Sequence, residues 1–110
     1  MRNLKLAAVA VIATTAALSM PAFAGNTLDA IKARDAVACG VNIGLAGFSA
    51  ADSKGEWTGL DVDICRAVAA ATLGDPTKVK FVPLNAQQRF TALQSGEIDM
   101  LSRNTTFTMS

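Results

Sequence analysis

The stretch GLDVDICRAVAAAT at residues 59–72 constrains the fold of this chain more than any other segment. Its apolar residues recur with the 3.6-residue period of a helix, so we expect one buried face, formed by Leu60, Ile64, Ala67, Val68 and Ala71. Asp61 and Asp63 fall in the first turn, where the helix dipole favours carboxylates. Gly74 and Pro76 then mark the predicted end of the helix.

Two Val-rich runs flank this helix, VACGVN at residues 37–42 and KVKFVPL at residues 78–84. Both are typical of buried strands, so the helix is expected to cross over between two parallel strands. A shorter helix is expected from Thr27 to Arg34, and an irregular hairpin over residues 48–59.

Another helix and a third strand follow. Asn85 and Gln88 have the spacing of a capping box, which predicts a helix with Phe90 and Leu93 facing inward. The run IDML at residues 98–101 is predicted to form a third short strand. Helices that alternate with strands predict an α/β fold with a mostly parallel sheet.

Polar segments are expected to meet where these strands end, which is the edge at which such sheets bind ligands. These segments are residues 42–48, 85–89 and 103–108. The last one offers hydroxyls, an amide and Arg103, a set that suits a carboxylate, although composition alone favours a plain polar loop. Arg89 could pair with a ligand carboxylate, or remain a solvated helix charge.

The first 24 residues have the pattern of a secretory signal peptide. Arg2 and Lys5 precede an uncharged apolar stretch, and Ala22-Phe23-Ala24 forms a cleavage site. The apolar stretch is shorter than the roughly 20 residues of a transmembrane helix.

Residues 25–110 keep eight of the ten Lys and Arg and all nine acidic residues, and this formal charge of −1 does not indicate a nucleic-acid partner.

Two cysteines, Cys39 and Cys65, lie in this exported part. An oxidising compartment permits a disulfide between them, and two small buried apolar side chains explain them equally well. The chain contains no histidine, so zinc ligation and a Cys–His nucleophile find no support, and no cofactor is expected. Residues 102–110 end without a cap or turn, and we expect the chain to be the front part of a longer protein.

Several motifs resemble family-3 extracellular solute-binding proteins, the periplasmic receptors of polar amino-acid ABC importers. The matching segments are residues 59–64 with 68–69 (the family signature), 89–99 (a second block), 102–108 (the ligand loop), and 39–42 with 44–49 (as in the general L-amino-acid-binding branch). Together these motifs cover essentially all of residues 25–110.

The resemblance implies a periplasmic-binding-protein-like (type II) α/β fold, in which two lobes close on one amino acid. Residues 25–110 would form the N-terminal part of lobe 1. The implied ligand-binding positions are Asn42, Leu45, Phe48, Ala86, Arg89, Arg103, Asn104 and Thr106. Asn104 and Thr106 match residues that hold the α-carboxylate, and Arg89 matches an arginine that faces the side-chain carboxylate of acidic ligands.

Leu45 and Ala86 stand where the family often has aromatic residues, which implies a wide pocket and broad specificity. The family's main carboxylate-binding arginine is expected just beyond Ser110. The resemblance also implies a monomeric periplasmic protein without catalytic residues, which delivers L-amino acids to an inner-membrane ABC permease. Two alternatives share the fold, a periplasmic dehydratase acting on a cyclic amino-acid precursor and a periplasmic sensory domain.

Overall fold

A computed structural model describes residues 25–108 of the 110-residue chain. The predicted signal peptide, residues 1–24, lies outside the described residues. The elements are α1 (Gly25–Arg34), β1 (Val37–Asn42), β2 (Ala50–Ala51), β3 (Trp57–Thr58), α2 (Leu60–Leu73), β4 (Val79–Leu84), α3 (Arg89–Ser95) and β5 (Met100–Leu101). Their order is the predicted one, but the strand expected over residues 98–101 is limited to Met100–Leu101. Among the helices of this part of the chain, none is long and apolar enough to cross a membrane.

β1 is the central strand of a three-stranded parallel sheet with the order β4-β1-β5. It pairs with β4 along its whole length, from Val37 opposite Val79 to Asn42 opposite Leu84. Its other side pairs with β5, where Cys39 lies opposite Met100. All three strands run in the same direction, so their carboxyl ends meet at one edge, and the prediction of a mostly parallel sheet is confirmed.

Helices cover both faces of this sheet, as buried parallel strands require. On one face, α1 and α2 pack on β1 in two clusters, with the buried members Ile31, Val37 and Ala69, and Cys39, Val41 and Cys65. On the other face, α3 contributes Ala92 to a cluster with Leu84 and Ile98. Gly40 makes room for this last cluster, because a Cβ there would lie 2.7 Å from the Ile98 side chain.

A disulfide joins Cys39 of β1 to Cys65 of α2, and both residues are fully buried. The sequence allowed either a disulfide or two small buried cysteines without a bond, and the structure has the disulfide. The bond fastens the long helix to the central strand of the sheet.

The buried face of α2 differs from the predicted one. The buried residues are Val62, Cys65 and Ala69, whereas Leu60, Ile64, Ala67 and Ala71 are exposed and Val68 is half-buried. Both sets satisfy helical spacing. The set that faces inward is the one that contains Cys65, which is bonded to the central strand.

The inward face of α3 is also not the predicted one. Phe90 is 48% exposed and Leu93 is 40% exposed, and Ala92 is the buried residue. The capping-box bonds are present, since Asn85 Oδ1 accepts from the Gln88 N–H at 2.9 Å and Gln88 Oε1 accepts from the Asn85 N–H at 3.2 Å. However, residues 86–88 form a turn, and the helix begins only at Arg89. The side of the helix that packs on the sheet is therefore not the one expected for a helix that continues directly from Asn85.

Pro83 lies in β4, at the outer edge of the described sheet. The Val37 N–H donates to the Lys78 carbonyl at 2.9 Å, so in this parallel ladder the even-numbered residues of β4 bond to β1. The odd-numbered residues, Pro83 among them, turn their backbone groups away from β1. The N–H that proline lacks is therefore not needed within the sheet.

Candidate functional site

The carboxyl ends of the three strands bring the predicted polar segments together. Asn42 is the last residue of β1, and its Nδ2 donates to Asn104 Oδ1 at 2.8 Å. Arg89 opens α3, and its Nη1 donates to the Asn104 carbonyl at 2.9 Å. Asn104 therefore contacts both of the other segments, and the expected juxtaposition at this edge is confirmed.

Arg103 anchors the segment after β5 to the end of β4. Its Nη1 donates to the Leu84 carbonyl, and its Nη2 and Nε donate to the Oδ1 and the carbonyl of Asn104 at 3.0 and 3.2 Å. Burial lowers the pKa of the Arg103 guanidinium, the nearby Arg89 cation lowers it further, and the carboxylate of Asp61 opposes both effects. Two guanidinium groups thus concentrate positive charge at this edge.

Arg89 is partly buried between Asn104 and Phe90. Its guanidinium carbon lies 5.0 Å from the centroid of the Phe90 ring, within the range of a cation–π contact. Its Nε is buried and, within residues 25–108, donates to no protein atom. A buried N–H without an acceptor costs free energy, so an anion or a water molecule bound there would be stabilising.

The first turn of α2 contacts both the loop after β1 and the segment after β5. Gly59 adopts a φ of 126°, and a Cβ on it would lie 2.3 Å from the Phe48 backbone. This close approach allows the Asp61 N–H to donate to the Phe48 carbonyl at 2.9 Å. The Ser102 hydroxyl donates to the Asp61 carbonyl at 3.0 Å, so α2 is fixed both to the loop after β1 and to the segment after β5.

The other predicted positions lie around the same edge. Leu45 is half-buried in the loop after β1, and its N–H donates to the Ser49 carbonyl at 2.7 Å. Phe48 is exposed in the same loop, Ala86 is exposed in the turn before α3, and Thr106 is exposed in the segment after β5. Asn42, Arg89 and Arg103 thus contact Asn104, whereas these four residues belong to the segments that meet at the same edge.

Two buried serines brace this edge, a role that the sequence did not indicate. Ser49 is fully buried, and its hydroxyl donates to the Asn42 carbonyl at 3.3 Å. Ser102 is 7% exposed, and its N–H donates to the Gly40 carbonyl at 2.9 Å. Ser49 directly precedes β2 and Ser102 directly follows β5, and a serine next to a strand is the sequence signal that could have identified them.

The edge is an open ledge. Two hollows of about 260 and 340 Å³ lie elsewhere in the described chain, one lined in part by Trp57 and Phe81 and the other in part by Arg34 and Asp99. Another, of about 270 Å³, borders the turn before α3 and is lined in part by Gln87 and Gln88. None of these hollows is lined by a predicted ligand position. The ledge can therefore form one wall of a binding site, with a ligand approaching from its open side.

Comparison with known proteins gives a family match. Residues 37–110 match the bacterial extracellular solute-binding proteins, family 3. A general L-amino acid-binding periplasmic protein of Rhizobium johnstonii is 56% identical over 110 residues, which are 100% of this chain and 32% of that protein. A glutamate/glutamine/aspartate/asparagine-binding protein of Rhodobacter capsulatus is 57% identical over 95 residues, which are 86% of this chain and 28% of that protein. The chain spans about a third of the length of these relatives.

A solved structure has the same fold. An ABC transporter/periplasmic binding protein from Brucella ovis, with glutathione bound, superposes with a TM-score of 0.72 at 66% sequence identity. The match covers 74% of this chain and 26% of that one. The expected periplasmic-binding-protein-like α/β fold is therefore confirmed, as is the similarity to the general L-amino-acid-binding branch.

Proposed function

Because this chain belongs to family 3 of the bacterial extracellular solute-binding proteins, we propose that it is the first part of a periplasmic L-amino-acid receptor serving an ABC importer. Residues 1–24 act as its signal peptide, and residues 25–110 form the N-terminal part of lobe 1. The observation that carries this proposal is the position of Asn104, which Asn42, Arg89 and Arg103 hold at the carboxyl edge of the sheet.

The α-carboxylate of an amino acid is the group that this ledge suits. The family resemblance assigns Asn104 and Thr106 to this group, and the charges of Arg89 and Arg103 favour an anion. Leu45, Phe48 and Ala86 line the side-chain pocket, and two of these three side chains are small or aliphatic, which suits broad specificity. The names of the two relatives describe binding of L-amino acids in general, and of acidic amino acids and their amides.

Binding without catalysis is the role that these residues support. The two relatives are named as binding proteins. A dehydratase would need an acid or base aimed into the cleft. The chain has no histidine, and the Asp99 carboxylate is engaged by the fold, since it accepts from the Ala38 N–H at 2.7 Å and from the Arg34 guanidinium.

Calorimetric titration of the complete receptor tests the proposal. We expect L-alanine, L-glutamine and L-glutamate each to saturate the protein at micromolar concentration, which corresponds to about 8 kcal/mol of binding free energy. The α-carboxamide of each amino acid, in which an uncharged amide replaces the α-carboxylate, should bind at least about tenfold more weakly, because a charge-assisted hydrogen bond is lost. Absence of binding for all three amino acids would refute the proposed function.

A further inference from the structure

The side-chain oxygen of Asn104 is already occupied by the protein. It accepts from Asn42 Nδ2 at 2.8 Å and from Arg103 Nη2 at 3.0 Å. An amide oxygen has two lone pairs, so both are used. Within residues 25–108, the Asn104 amide nitrogen donates to no protein atom, and the residue is exposed. The group that Asn104 leaves available is therefore a donor.

This orientation begins in the loop after β1. The Gly44 N–H donates to Asn42 Oδ1 at 3.0 Å, so the Asn42 amide turns its NH₂ group toward Asn104. An NH₂ group needs an acceptor, and Asn104 meets it with Oδ1. A chain of two hydrogen bonds, from Gly44 to Asn42 and from Asn42 to Asn104, therefore leaves the NH₂ group of Asn104 as the free donor.

The backbone of Asn104 is oriented in the same sense. Its carbonyl accepts from Arg89 Nη1 at 2.9 Å and from Arg103 Nε at 3.2 Å. In a planar trans peptide the carbonyl and the following N–H point in opposite directions, so the Thr105 N–H turns away from the two arginines. The two acceptor oxygens of Asn104 are thus satisfied internally, whereas its NH₂ group and the Thr105 N–H donate to no atom within residues 25–108 and remain for an anion.

We propose that Asn42 is a positioning residue, which acts through Asn104 to aim an NH₂ donor at the ligand carboxylate. The inference rests on the proposed function and specifies what orients its carboxylate-binding side chain. The family resemblance places Asn42 in the lining of the pocket. In the structure, however, Asn42 Oδ1 is bonded to Gly44 and Nδ2 is bonded to Asn104, so both polar atoms of its side chain are engaged within the protein.

A double-mutant cycle on the complete receptor tests this role, with L-alanine and L-glutamine as parallel probes in calorimetry. We expect Asn42→Ala to weaken binding about three- to tenfold when Asn104 is present, the effect of one net hydrogen bond. In the Asn104→Ala background, Asn42→Ala should change binding less than about twofold, because the group on which it acts is gone. An equal loss in both backgrounds would overturn the proposal.

Asn42→Asp is the matched variant, since it keeps an acceptor for the Gly44 N–H but has no donor for Asn104. It should weaken binding at least as much as Asn42→Ala. It should also shift the side-chain amide NMR resonances of Asn104 in the ligand-free protein, a readout that does not depend on affinity. Unchanged Asn104 resonances would overturn the proposal even if affinity fell. Failure of the unmutated receptor to bind either probe would refute the proposed function instead.

Discussion

Cys39 on the central strand is bonded to Cys65 on α2, across the boundary between the sheet and the helix layer. The two residues lie 26 positions apart in sequence, and Val41 completes the buried part of their cluster. Trp57 and Phe81 pack against the rim of this cluster, with their ring centroids 5.9 Å apart. The bond thus lies within the packed interior that orients α2 on the sheet.

Removing this bond should destabilise the protein by about 3.5 kcal/mol, the loop entropy expected for a closed loop of this length. The double variant Cys39→Ala, Cys65→Ala should therefore unfold at a lower urea concentration than the oxidised protein. Its m-value should be larger, because the unfolded chain is less compact. Reduced unmutated protein is the control and should match the double variant. Identical midpoints for oxidised protein and double variant would contradict the prediction.

Gly59→Ala should destabilise the protein by about 3 kcal/mol or more, because backbone strain at positive φ adds to a clash with the Phe48 backbone. Gly55→Ala is the matched control. Gly55 also has a positive φ of 82°, but no atom lies within 4 Å of its would-be Cβ, so its cost should be only about 1–2 kcal/mol. Thermal unfolding of both variants measures the difference. Equal losses would mean that the loop yields to the new methyl group.

Arg89→Ala should weaken the binding of L-glutamate and L-aspartate more than that of L-alanine. A loss of a few fold is expected for every ligand, because Arg89 also donates to the Asn104 carbonyl. A further loss of about tenfold is expected for the acidic ligands, from their side-chain carboxylate. Arg89→Lys retains the charge without the planar fork and should recover only part of this loss. A uniform loss across the three ligands would place Arg89 outside the side-chain pocket.

The ion pair between Asp35 and Lys78 should make stability depend on pH in the alkaline range. Lys78 Nζ donates to both Asp35 oxygens at 2.8 and 2.7 Å, and these bonds raise the pKa of Lys78 above its ordinary value. A raised pKa means that the contribution is complete below about pH 10.5 and is lost as the pH rises through the folded-state value.

Asp35→Asn is the variant that isolates this pair, because asparagine tolerates the positive φ of 58° found at this position. Urea midpoints between pH 8 and pH 12 should show the unmutated protein slightly more stable at the lower end, with the difference vanishing at the upper end. A difference that stays constant over this range would assign the stabilisation to something other than the Lys78 charge.

The strands and their direction follow from local sequence, whereas the helix faces do not. VACGVN can be buried on both sides, and β1 has the predicted bounds, Val37–Asn42. In α2, apolar residues occur around most of the helix, so helical spacing allows two buried faces, and the one observed contains Cys65, which is bonded to Cys39. In α3, the small side chain of Ala92 permits close approach to Leu84 and Ile98, an outcome that a preference for large apolar residues misses.

The composition of the candidate site was predictable, but its connections were not. Strand order alone places Asn42, Arg89 and Asn104 at one edge. The orientation of the Asn104 amide depends on hydrogen bonds from residues up to 62 positions away, which no local pattern encodes. The buried serines likewise act through backbone carbonyls, which every residue type carries.

The proline in β4 has a consequence for self-association. A strand from another molecule that paired along the outer side of residues 79–84 would find a backbone donor at Phe81 but none at Pro83, and the Val79 N–H already donates to the Thr77 carbonyl at 2.9 Å. Such a gap makes the edge a poor template for sheet growth between molecules. The ring of Pro83 therefore limits strand addition between molecules at this edge of the described sheet, whatever the state in which the edge becomes accessible.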